Sequence, residues 1–406
     1  MNNAFVMESD PVKKSQILAV LGLSGFVVMA DNWVVSPILP SIAKGLGVDA
    51  VRAGFLITAY MIPFGVFQLV FGPLADRFGK RQVVTGAMIA FTVGTALSAL
   101  GVTVTGLAIF RALTGVFAAS VMPISLALIG DLFPMEERQT AIGTFMGISF
   151  LGQGLSMAIG GTIAYLLSWR GVFAVYSGLS AIATVLLVVA SRRVPSKRNP
   201  DSKVIAPYAQ LLAKPASALT YLVVLFEGIL IVGSFSYIGA YISRTFGFDN
   251  LSIGLIMTAF GLMAVLAGRL SGRLASRIGR RPLLALGLLS AVLADGMIFF
   301  AGGILPALVV AVGLLGLGFM FAHSTLLTIA TEFASGARGV AMSLVAFAFM
   351  GGGGVGTALG GRIIRASGFG AFFGIYALSL AALVVLAAVV VRDASNQLQK
   401  ERARRA

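Results

Sequence analysis

The sequence predicts an all-α membrane protein in which twelve transmembrane helices form two pseudo-symmetric bundles of six. Three observations lead to this fold class: the composition is very apolar, long apolar runs recur along the chain, and the second half repeats the first. Of the 406 residues, 58% are hydrophobic and 11% are charged, whereas a soluble domain carries about 25% charged residues. A lipid bilayer is therefore the expected solvent of this chain.

The apolar runs are long enough to be spanning helices, since about 20 helical residues cross the hydrocarbon core of a bilayer. The first run is too long for the apolar region of a cleavable signal peptide, so we interpret it as the first span. The predicted spans are residues 17–39, 51–72, 82–101, 104–131, 139–162, 170–190, 218–242, 251–272, 282–303, 305–330, 339–362 and 370–391.

These spans divide the chain into five regions. The two six-helix bundles cover residues 17–190 and 218–391, and the polar segment 191–217, which contains several prolines, links them. The N-terminal residues 1–16 and the basic tail 392–406 flank the bundles.

The distribution of positive charge predicts the orientation. With both termini in the cytoplasm, 23 of the 30 Lys and Arg residues fall in cytoplasmic segments, six fall outside, and Arg111 lies within a helix. Cytoplasmic loops of membrane proteins carry such an excess of Lys and Arg. The net charge of +15 therefore indicates topology and contacts with anionic lipids rather than nucleic acid. We expect a multi-pass protein of the cell (inner) membrane.

The second half of the sequence repeats the first at a constant shift of 200 residues. FLITAY at 55–60 aligns with LIMTAF at 255–260, and GPLADRFGKR at 72–81 aligns with GRLASRIGRR at 272–281. Two parallel repeats of six helices are typical of transporters whose substrate site lies near the midplane, between the repeats. This fold is usually complete in one chain, so we expect a monomer.

Three motifs resemble those of the major facilitator superfamily, and the resemblance extends over residues 17–391. GPLADRFGKR at 72–81 is similar to the family's G-x-L-A-D-R-x-G-R-K loop, and LAIFRALTG at 107–115 is similar to its L-x-x-x-R-x-x-x-G helix motif. DNWVVSPILP at 31–40 resembles the acid followed by P-x-x-P of the twelve-helix drug:proton antiporter branch. The resemblance implies proton-coupled efflux of small amphipathic or cationic compounds by alternating access.

One segment departs from the antiporter pattern. That branch usually carries G-x-x-x-G-P-x-x-G-G in its fifth helix, whereas this chain has GQGLSMAIGG at 152–161, with Ser156 and Met157 in place of Gly-Pro. The departure leaves open a sugar or metabolite exporter or importer of the same fold. An uncoupled facilitator or channel is the alternative from another functional class.

Two acids and one arginine stand inside apolar helices and are the candidates for proton coupling: Asp31, Glu227 and Arg111. A charge at the centre of a spanning helix costs about 3 kcal/mol or more unless it is paired or faces water. Glu227 corresponds to position 27 of the first half, one turn before Asp31, so we expect both acids at similar depth, facing one cavity. The resemblance places Arg111 near the proton-handling acid. The alternatives are a carboxylate near the outer membrane interface for Asp31, a carboxylate held by a neighbouring helix for Glu227, and a fixed structural ion pair for Arg111.

Other polar residues in the spans are candidates to line a substrate cavity. They are Asn32, Tyr60, Gln68, Gln153, Tyr237 and His323. A second group, at the cytoplasmic ends of the helices, is a candidate gate that holds the halves together while the cavity is open to the outside. It comprises Gly72, Asp76, Arg77, Gly79, Arg81, Asp131 and Arg138. The second half has Ser276 and Thr331 in place of two of these acids, so we expect an asymmetric gate. Alternatively, these charges only set topology.

The composition argues against an enzyme. The chain has no Cys and one His, so neither a nucleophile–base pair nor a metal-binding cluster can be assembled from the usual residues. The sequence lacks a nucleotide-binding glycine loop, which argues against ATP-driven transport by this chain alone. We therefore expect no cofactor, with the proton gradient as energy source and with small-molecule substrate, protons and membrane lipids as partners.

Overall fold

The structure, a computed structural model, describes residues 11–191, 206–333 and 338–391, and every regular element in these ranges is a helix. The first half contains α1 (Pro11–Trp33), α2 (Val35–Gly45), α3 (Ala50–Phe78), α4 (Lys80–Ala99), α5 (Val104–Ala118), α6 (Val121–Leu132), α7 (Met135–Leu166) and α8 (Trp169–Ser191). The second half contains α9 (Ala206–Leu212), α10 (Pro215–Glu227), a π-helix (Gly228–Val232), α11 (Gly233–Phe246), α12 (Asn250–Ile278), α13 (Arg280–Ala301), α14 (Leu305–Glu332) and α15 (Arg338–Val390).

The predicted all-α fold is confirmed. Parts of three predicted regions lie outside the described residues, namely residues 1–10 of the N-terminus, residues 192–205 of the linker and the tail 392–406.

The described residues contain twelve passes through the membrane, six in each half. Eleven helical stretches are long and apolar enough to span, and the last of them, Gly339–Val390, has 52 residues. An unbroken helix of that length would measure about 78 Å, more than twice the thickness of a hydrocarbon core. Gly368, with φ 81° and ψ 175°, divides it into two passes. Glycine adopts this backbone conformation without the steric cost that a Cβ imposes.

The second helix of each half begins in the same way. Asp49 accepts a hydrogen bond from the N–H of Arg52 at 2.7 Å, and Asp249 accepts one from the N–H of Ser252 at 2.9 Å. Each carboxylate therefore caps the first turn of its helix, α3 or α12. The bond from the Ser252 N–H lowers the pKa of Asp249 below its ordinary value. The repeat in sequence is thus also a repeat of local structure.

Three spans are interrupted rather than continuous. The first consists of α1 and α2, the fourth of α5 and α6, and the seventh of α10, the π-helix and α11. The first span ends at Gly45 rather than at the predicted residue 39, because α2 accommodates both Pro37 and Pro40. π-Helical turns inside longer helices are frequent at functional sites, and the one in the seventh span directly follows Glu227.

The two halves contact each other on the face opposite the termini. Oγ of Ser36 donates a hydrogen bond to the carbonyl oxygen of Phe235 at 2.8 Å, and Oγ of Ser41 donates one to Oδ1 of Asn250 at 2.7 Å. These residues belong to the parts of α2, α11 and α12 that lie away from the termini. This face of the molecule is therefore closed.

Glycines allow the backbones of the two halves to meet. Gly154 and Gly161 of α7 lie against Gly261 and Gly254 of α12, so closely that a Cβ at Gly161 or Gly261 would overlap the opposing backbone. Gly65 of α3 lies against Gly351 of α15 so closely that a Cβ at Gly65 would overlap the opposing backbone. Small residues at helix interfaces are the usual means of association in lipid, where burial of apolar side chains drives association weakly.

One side chain fixes the linker helix α9 to both halves. Oη of Tyr208 donates a hydrogen bond to the carbonyl oxygen of Leu69 in α3 at 3.0 Å, and the Ser343 side chain of α15 lies beside Tyr208. The Leu69 carbonyl lacks its usual helical partner because the residue four positions later is Pro73, which has no N–H. Tyr208 therefore satisfies an acceptor that the sequence of α3 leaves free.

We expect the substitution Tyr208→Phe to destabilise the protein by about 1 kcal/mol, because the Leu69 carbonyl loses its protein partner. Thermal unfolding of the purified protein in detergent measures the effect. Tyr165→Phe is the matched control, since the Tyr165 side chain is 53% exposed. Equal melting temperatures for the two variants would contradict the assigned role of Tyr208.

Candidate functional site

A central cavity lies between the two halves, and its volume is about 130 Å³. The first half contributes Met29, Trp33, Phe64, Gln68, Met122, Pro123, Leu126, Met146, Phe150 and Gln153 to its wall. The second half contributes Phe319, His323, Leu327, Met342, Ser343, Val345, Ala346, Phe349 and Met350. Methionine and aromatic side chains dominate this wall, and flexible thioethers suit a pocket that adapts to different apolar molecules.

The space between the halves widens toward the termini. A second cavity of about 450 Å³ lies between α7 and α12. Phe150 and Gln153 line both cavities, and the second one extends along α12 to Arg269 and Ser271. The central cavity is thus closed off on the face opposite the termini and adjoins open space on the other side.

Residue spacing in α1 decides which side chains face the central cavity. Met29 and Trp33 are four residues apart, so they lie on one side of the helix, and both line the cavity. Asp31 lies midway between them in sequence and therefore points to the other side of α1. Its carboxylate is directed into the first half.

Asp31 and Arg111 form a fully buried ion pair inside the first half. Nη1 of Arg111 lies 2.7 Å from Oδ2 of Asp31, and Nη2 donates to the Asp31 carbonyl oxygen at 3.1 Å. The guanidinium carbon is 4.2 Å from the ring centre of Tyr60 and 5.4 Å from that of Phe173. Oδ1 of Asp31 has no hydrogen-bond partner among the described residues. The pair connects four spans of this half and leaves one acceptor unused.

Glu227 and His323 form a second buried contact, inside the other half. Nδ1 of His323 lies 3.3 Å from Oε2 of Glu227, within hydrogen-bond distance. Glu227 is fully buried, whereas the His323 side chain is 17% exposed and lines the central cavity. The imidazole packs between Phe319 and Phe349, with ring centres 5.4 and 4.3 Å away. His323 thus stands between the cavity and a carboxylate that the cavity does not reach directly.

A third buried acid, Asp295, lies deeper in the second half. Its Oδ1 accepts a hydrogen bond from Oγ of Ser234 at 2.5 Å, and its Oδ2 has no partner among the described residues. Asp295 belongs to α13 and does not line the central cavity. Asp295 is therefore as buried as Glu227 but lies away from the central cavity, so it can serve as a control for Glu227.

Three of the predicted cavity residues lie where they were expected. Gln68, Gln153 and His323 line the central cavity. Asn32 is buried next to it, and its Nδ2 lies 3.7 Å from Sδ of Met350 in the other half. The polar part of the cavity wall is therefore made of two amides and one imidazole, together with Ser343.

Two predicted cavity residues lie elsewhere. The Tyr60 ring packs on the Arg111 guanidinium within the first half. Tyr237 donates from Oη to the carbonyl oxygen of Thr357 at 3.1 Å, and it lines a separate cleft on the closed face. Both tyrosines have fixed packing partners, which direct them away from the central cavity. The expectation that Asp31 and Glu227 face one cavity is corrected for the same reason, since each acid points into its own half.

The gate motif makes its ion pairs within each half. Gly79, with φ 100°, ends α3 and starts α4. Nζ of Lys80 lies 2.7 Å from Oδ2 of Asp131, and in the second half Nη1 of Arg280 lies 2.6 Å from Oε1 of Glu332. Glu332 is one residue beyond the position that corresponds to Asp131. The second half therefore has an equivalent ion pair, contrary to the expected loss of its acid.

The other predicted gate residues surround these pairs. Asp76 and Arg77 are exposed at the end of α3, and Gly72 and Arg81 are half-buried. Arg138 donates from Nη2 to the carbonyl oxygen of Phe133 at 3.3 Å. Lys80 and Glu332, which carry the observed pairs, were not among the predicted gate residues. The alignment of Lys80 with Arg280 in the repeat is a signal for the two bases, whereas Glu332 lies one position away from the residue that aligns with Asp131.

The sequence comparisons match residues 21–406 to one family of proteins. The family profile described as Major Facilitator Superfamily matches residues 21–241 and 220–406. The uncharacterized MFS-type transporter YceJ of Bacillus subtilis is 27% identical, over 87% of this chain and 90% of its own. Puromycin resistance protein pur8 of Streptomyces alboniger is 32% identical over 45% of this chain, which corresponds to 36% of its own length.

A solved structure shows the same architecture. The crystal structure of a D-xylose-proton symporter superposes with a TM-score of 0.77 and 18% sequence identity, and the match covers 93% of this chain and 98% of that one. At this level of identity, the likeness shows the shared fold.

We expect Arg111→Met to destabilise the protein by about 3–5 kcal/mol, because the carboxylate of Asp31 would remain buried without its cation. The double variant Asp31→Asn/Arg111→Met removes both charges and should recover most of the loss. Melting temperatures in detergent measure both effects.

The control for this prediction is Lys80→Met, which breaks an ion pair whose side chains are 20% and 50% exposed. Exposed pairs contribute about 0–1 kcal/mol, so this variant should unfold close to the parent temperature. A double variant as unstable as Arg111→Met would contradict the assignment of the loss to the unpaired carboxylate.

Proposed function

The chain belongs to the major facilitator superfamily, and from this premise we propose that it is a proton-coupled secondary transporter that exports small amphipathic compounds by alternating access. The observation that carries the proposal is the contact between His323, which lines the central cavity, and Glu227, which is buried behind it. A cavity-facing imidazole in contact with a buried carboxylate is suited to exchange protons with the contents of the cavity.

The contacts between the halves support alternating access. They close the face opposite the termini, while the space between α7 and α12 widens toward the termini. With both termini in the cytoplasm, as the Lys and Arg distribution predicts, this is a conformation open to the inside. Rocking of the halves about the central cavity would open the other face and present the same residues to the outside.

The proposed cycle uses His323 as the route of the proton to Glu227. Substrate enters from the cytoplasm while Glu227 is ionised and contacts the imidazole. After the halves reorient, a proton from outside reaches Glu227 through His323, and protonation removes the buried negative charge. Substrate then leaves to the outside, and the proton leaves to the cytoplasm when the cavity opens there again.

Asp31 contributes differently to this cycle because of its partner. An arginine guanidinium is a permanent cation, so Arg111 disfavours protonation of the Asp31 carboxylate while the ion pair is intact. Arg111 is held by the carbonyl oxygen of Asp31 and by the Tyr60 ring as well as by the carboxylate. We propose that Asp31 and Arg111 take part in coupling through separation of this ion pair, with Glu227 as the acid closer to the cavity.

The chemistry of the cavity wall supports an amphipathic substrate. Its methionine and aromatic side chains offer apolar contacts, and Gln68, Gln153 and His323 offer hydrogen bonds. The similarity to a puromycin resistance protein supports the direction of transport, out of the cell. The expected preference for cations has less support, because both acids are paired and neither lines the cavity.

A metabolite or sugar transporter of the same fold is the second candidate. It is favoured by the replacement of the antiporter Gly-Pro by Ser156 and Met157. In the structure, Ser156 donates from Oγ to the carbonyl oxygen of Gln153 at 2.8 Å, and α7 continues through this position to Leu166. An uncoupled facilitator is the third candidate. A substrate flux that does not depend on the proton gradient would identify it.

The proposal includes the localisation, the oligomeric state and the partners of the protein. We place it in the cell (inner) membrane with both termini in the cytoplasm, as a monomer that uses the proton gradient and requires no cofactor. The substrate and the proton are its small partners, and anionic lipids contact its basic cytoplasmic segments. We assign it no enzymatic activity.

Glu227→Gln should abolish substrate-driven proton movement, because the amide cannot accept the proton. The measurement uses proteoliposomes with an internal pH dye and an imposed gradient, to which lipophilic cations, sugars and organic acids are added one at a time. His323→Gln should slow the same proton movement by removing the contact between Glu227 and the cavity.

Asp295→Asn is the matched control, since Asp295 is equally buried but contacts Ser234 instead of the cavity residues. It should retain coupled transport. If Glu227→Gln and Asp31→Asn both retain full gradient-driven transport, the proposed mechanism is wrong. Uptake of a labelled compound by the parent without proton movement would favour the facilitator.

Cross-linking of the closed face should stop transport. The chain has no Cys, so Ser41→Cys/Asn250→Cys introduces two thiols at the site of the 2.7 Å hydrogen bond between the halves. A short reducible bifunctional reagent should block transport in this variant, and reduction should restore it. Each single-Cys variant treated in the same way is the control. Full transport by the cross-linked protein would contradict alternating access by separation of these helices.

A further inference from the structure

A cleft on the closed face collects three arginines from both halves. Its volume is about 370 Å³, and it lies away from the central cavity. Arg52 of α3 contributes from the first half, and Arg362 and Arg365 of α15 contribute from the second. The cleft therefore crosses the interface that opens and closes in the proposed transport cycle, although it takes no part in that cycle as described above.

These arginines make no ion pair with the described residues. Other arginines on this face have structural partners: Arg170 donates to the carbonyl oxygen of Gly101 at 3.0 Å, and Arg244 lies over the Phe369 ring. The positive-inside distribution makes basic residues rare on this face. Three of them directed into one cleft therefore call for an explanation.

Closure of this face brings the three like charges together. The carboxylate nearest to them in the chain is Asp49, which is exposed and already accepts the Arg52 N–H as the cap of α3. Like charges around a common cleft repel one another, so closure would be favoured by an anion bound between them. Guanidinium groups bind phosphate through paired hydrogen bonds.

The surroundings of the cleft are apolar. Phe55 lines it and is 53% exposed. On the same side of α15 as Arg362, one turn and two turns toward the membrane interior, Leu359 and Val355 are 41% and 39% exposed. Arginines at the end of the helices with exposed apolar side chains below them match a phosphate headgroup followed by acyl chains.

We propose that this cleft binds the phosphate group of an anionic phospholipid in the leaflet opposite the termini, and that the bound headgroup holds this face closed. The phosphate contacts Arg52 on one half and Arg362 and Arg365 on the other. Separation of the halves breaks one set of these contacts, so the lipid binds the closed state more tightly and shifts the equilibrium toward it.

The experiment measures the opening of this face directly. Val102→Cys and Ile304→Cys place spin labels on the two halves, at positions that are 79% and 60% exposed on this face, in a chain without other Cys. Distances are measured by double electron–electron resonance in nanodiscs of phosphatidylcholine, with and without phosphatidylglycerol. We expect phosphatidylglycerol to raise the ratio of closed to open molecules about fivefold.

Substitutions of the cleft arginines test whether the response to phosphatidylglycerol depends on this cleft. Arg362→Gln/Arg365→Gln should lose the response to phosphatidylglycerol, and Arg362→Lys/Arg365→Lys should keep part of it, since charge remains without the paired hydrogen bonds. Arg244→Gln, a charge loss on the same face outside the cleft, should respond like the parent. Melting temperatures confirm that each variant is folded, and if the double Gln variant does not fold, Arg52→Gln replaces it.

Two further arms separate the possible sources of the phosphate. The same shift produced by inorganic phosphate in pure phosphatidylcholine discs would keep the anion site and assign it to a soluble anion. An equal closed fraction with and without phosphatidylglycerol, or a response that persists in the Gln variants, would overturn the proposal. The readout needs neither substrate nor a proton gradient, so its failure is distinct from a failure of the proposed transport function.

Discussion

A charge inside the bilayer needs a partner within the protein, and the two halves of this chain meet that requirement with different chemistry. In the first half, the carboxylate of Asp31 faces a guanidinium, which stays charged. In the second half, the carboxylate of Glu227 faces an imidazole, which is charged only when it is protonated. The two repeated halves thus provide one pair with a guanidinium and one pair with an imidazole.

The contact between the halves combines side-chain packing with close backbone approach. The Trp33 ring packs against Phe235 and Phe260 of the other half, whereas Gly154 and Gly161 of α7 face glycines of α12. The polar contacts that hold the present conformation, such as Ser41 with Asn250, lie at one end of the interface and can break separately from the core of either half.

The sequence was sufficient to predict the spans, because the thickness of a bilayer sets the length of an apolar helix, and Gly368 supplies the break that separates the last two. The direction of Asp31 was not predictable, since it depends on Arg111, which lies 80 residues later in the chain. The sequence identified Glu227 as an acid inside the seventh span but did not reveal that His323 separates it from the cavity. At the gate, strict use of the 200-residue shift pointed to Thr331, whereas the acid that forms the ion pair is its neighbour Glu332. The local pattern of apolar residues therefore identified the helices. The positions of the site residues depended on contacts between residues that are far apart in the sequence.

The linker between the halves is more than a covalent connection. Tyr208 contacts Leu69 of α3 and lies beside Ser343 of α15 on the side where the cavity is wide, so its ring occupies space between these two helices. If the proposed transport cycle brings α3 and α15 together on this side, the tyrosine ring has to move aside first. The linker helix would then limit how far the halves can approach, and the rate of transport would depend on a residue outside the substrate cavity.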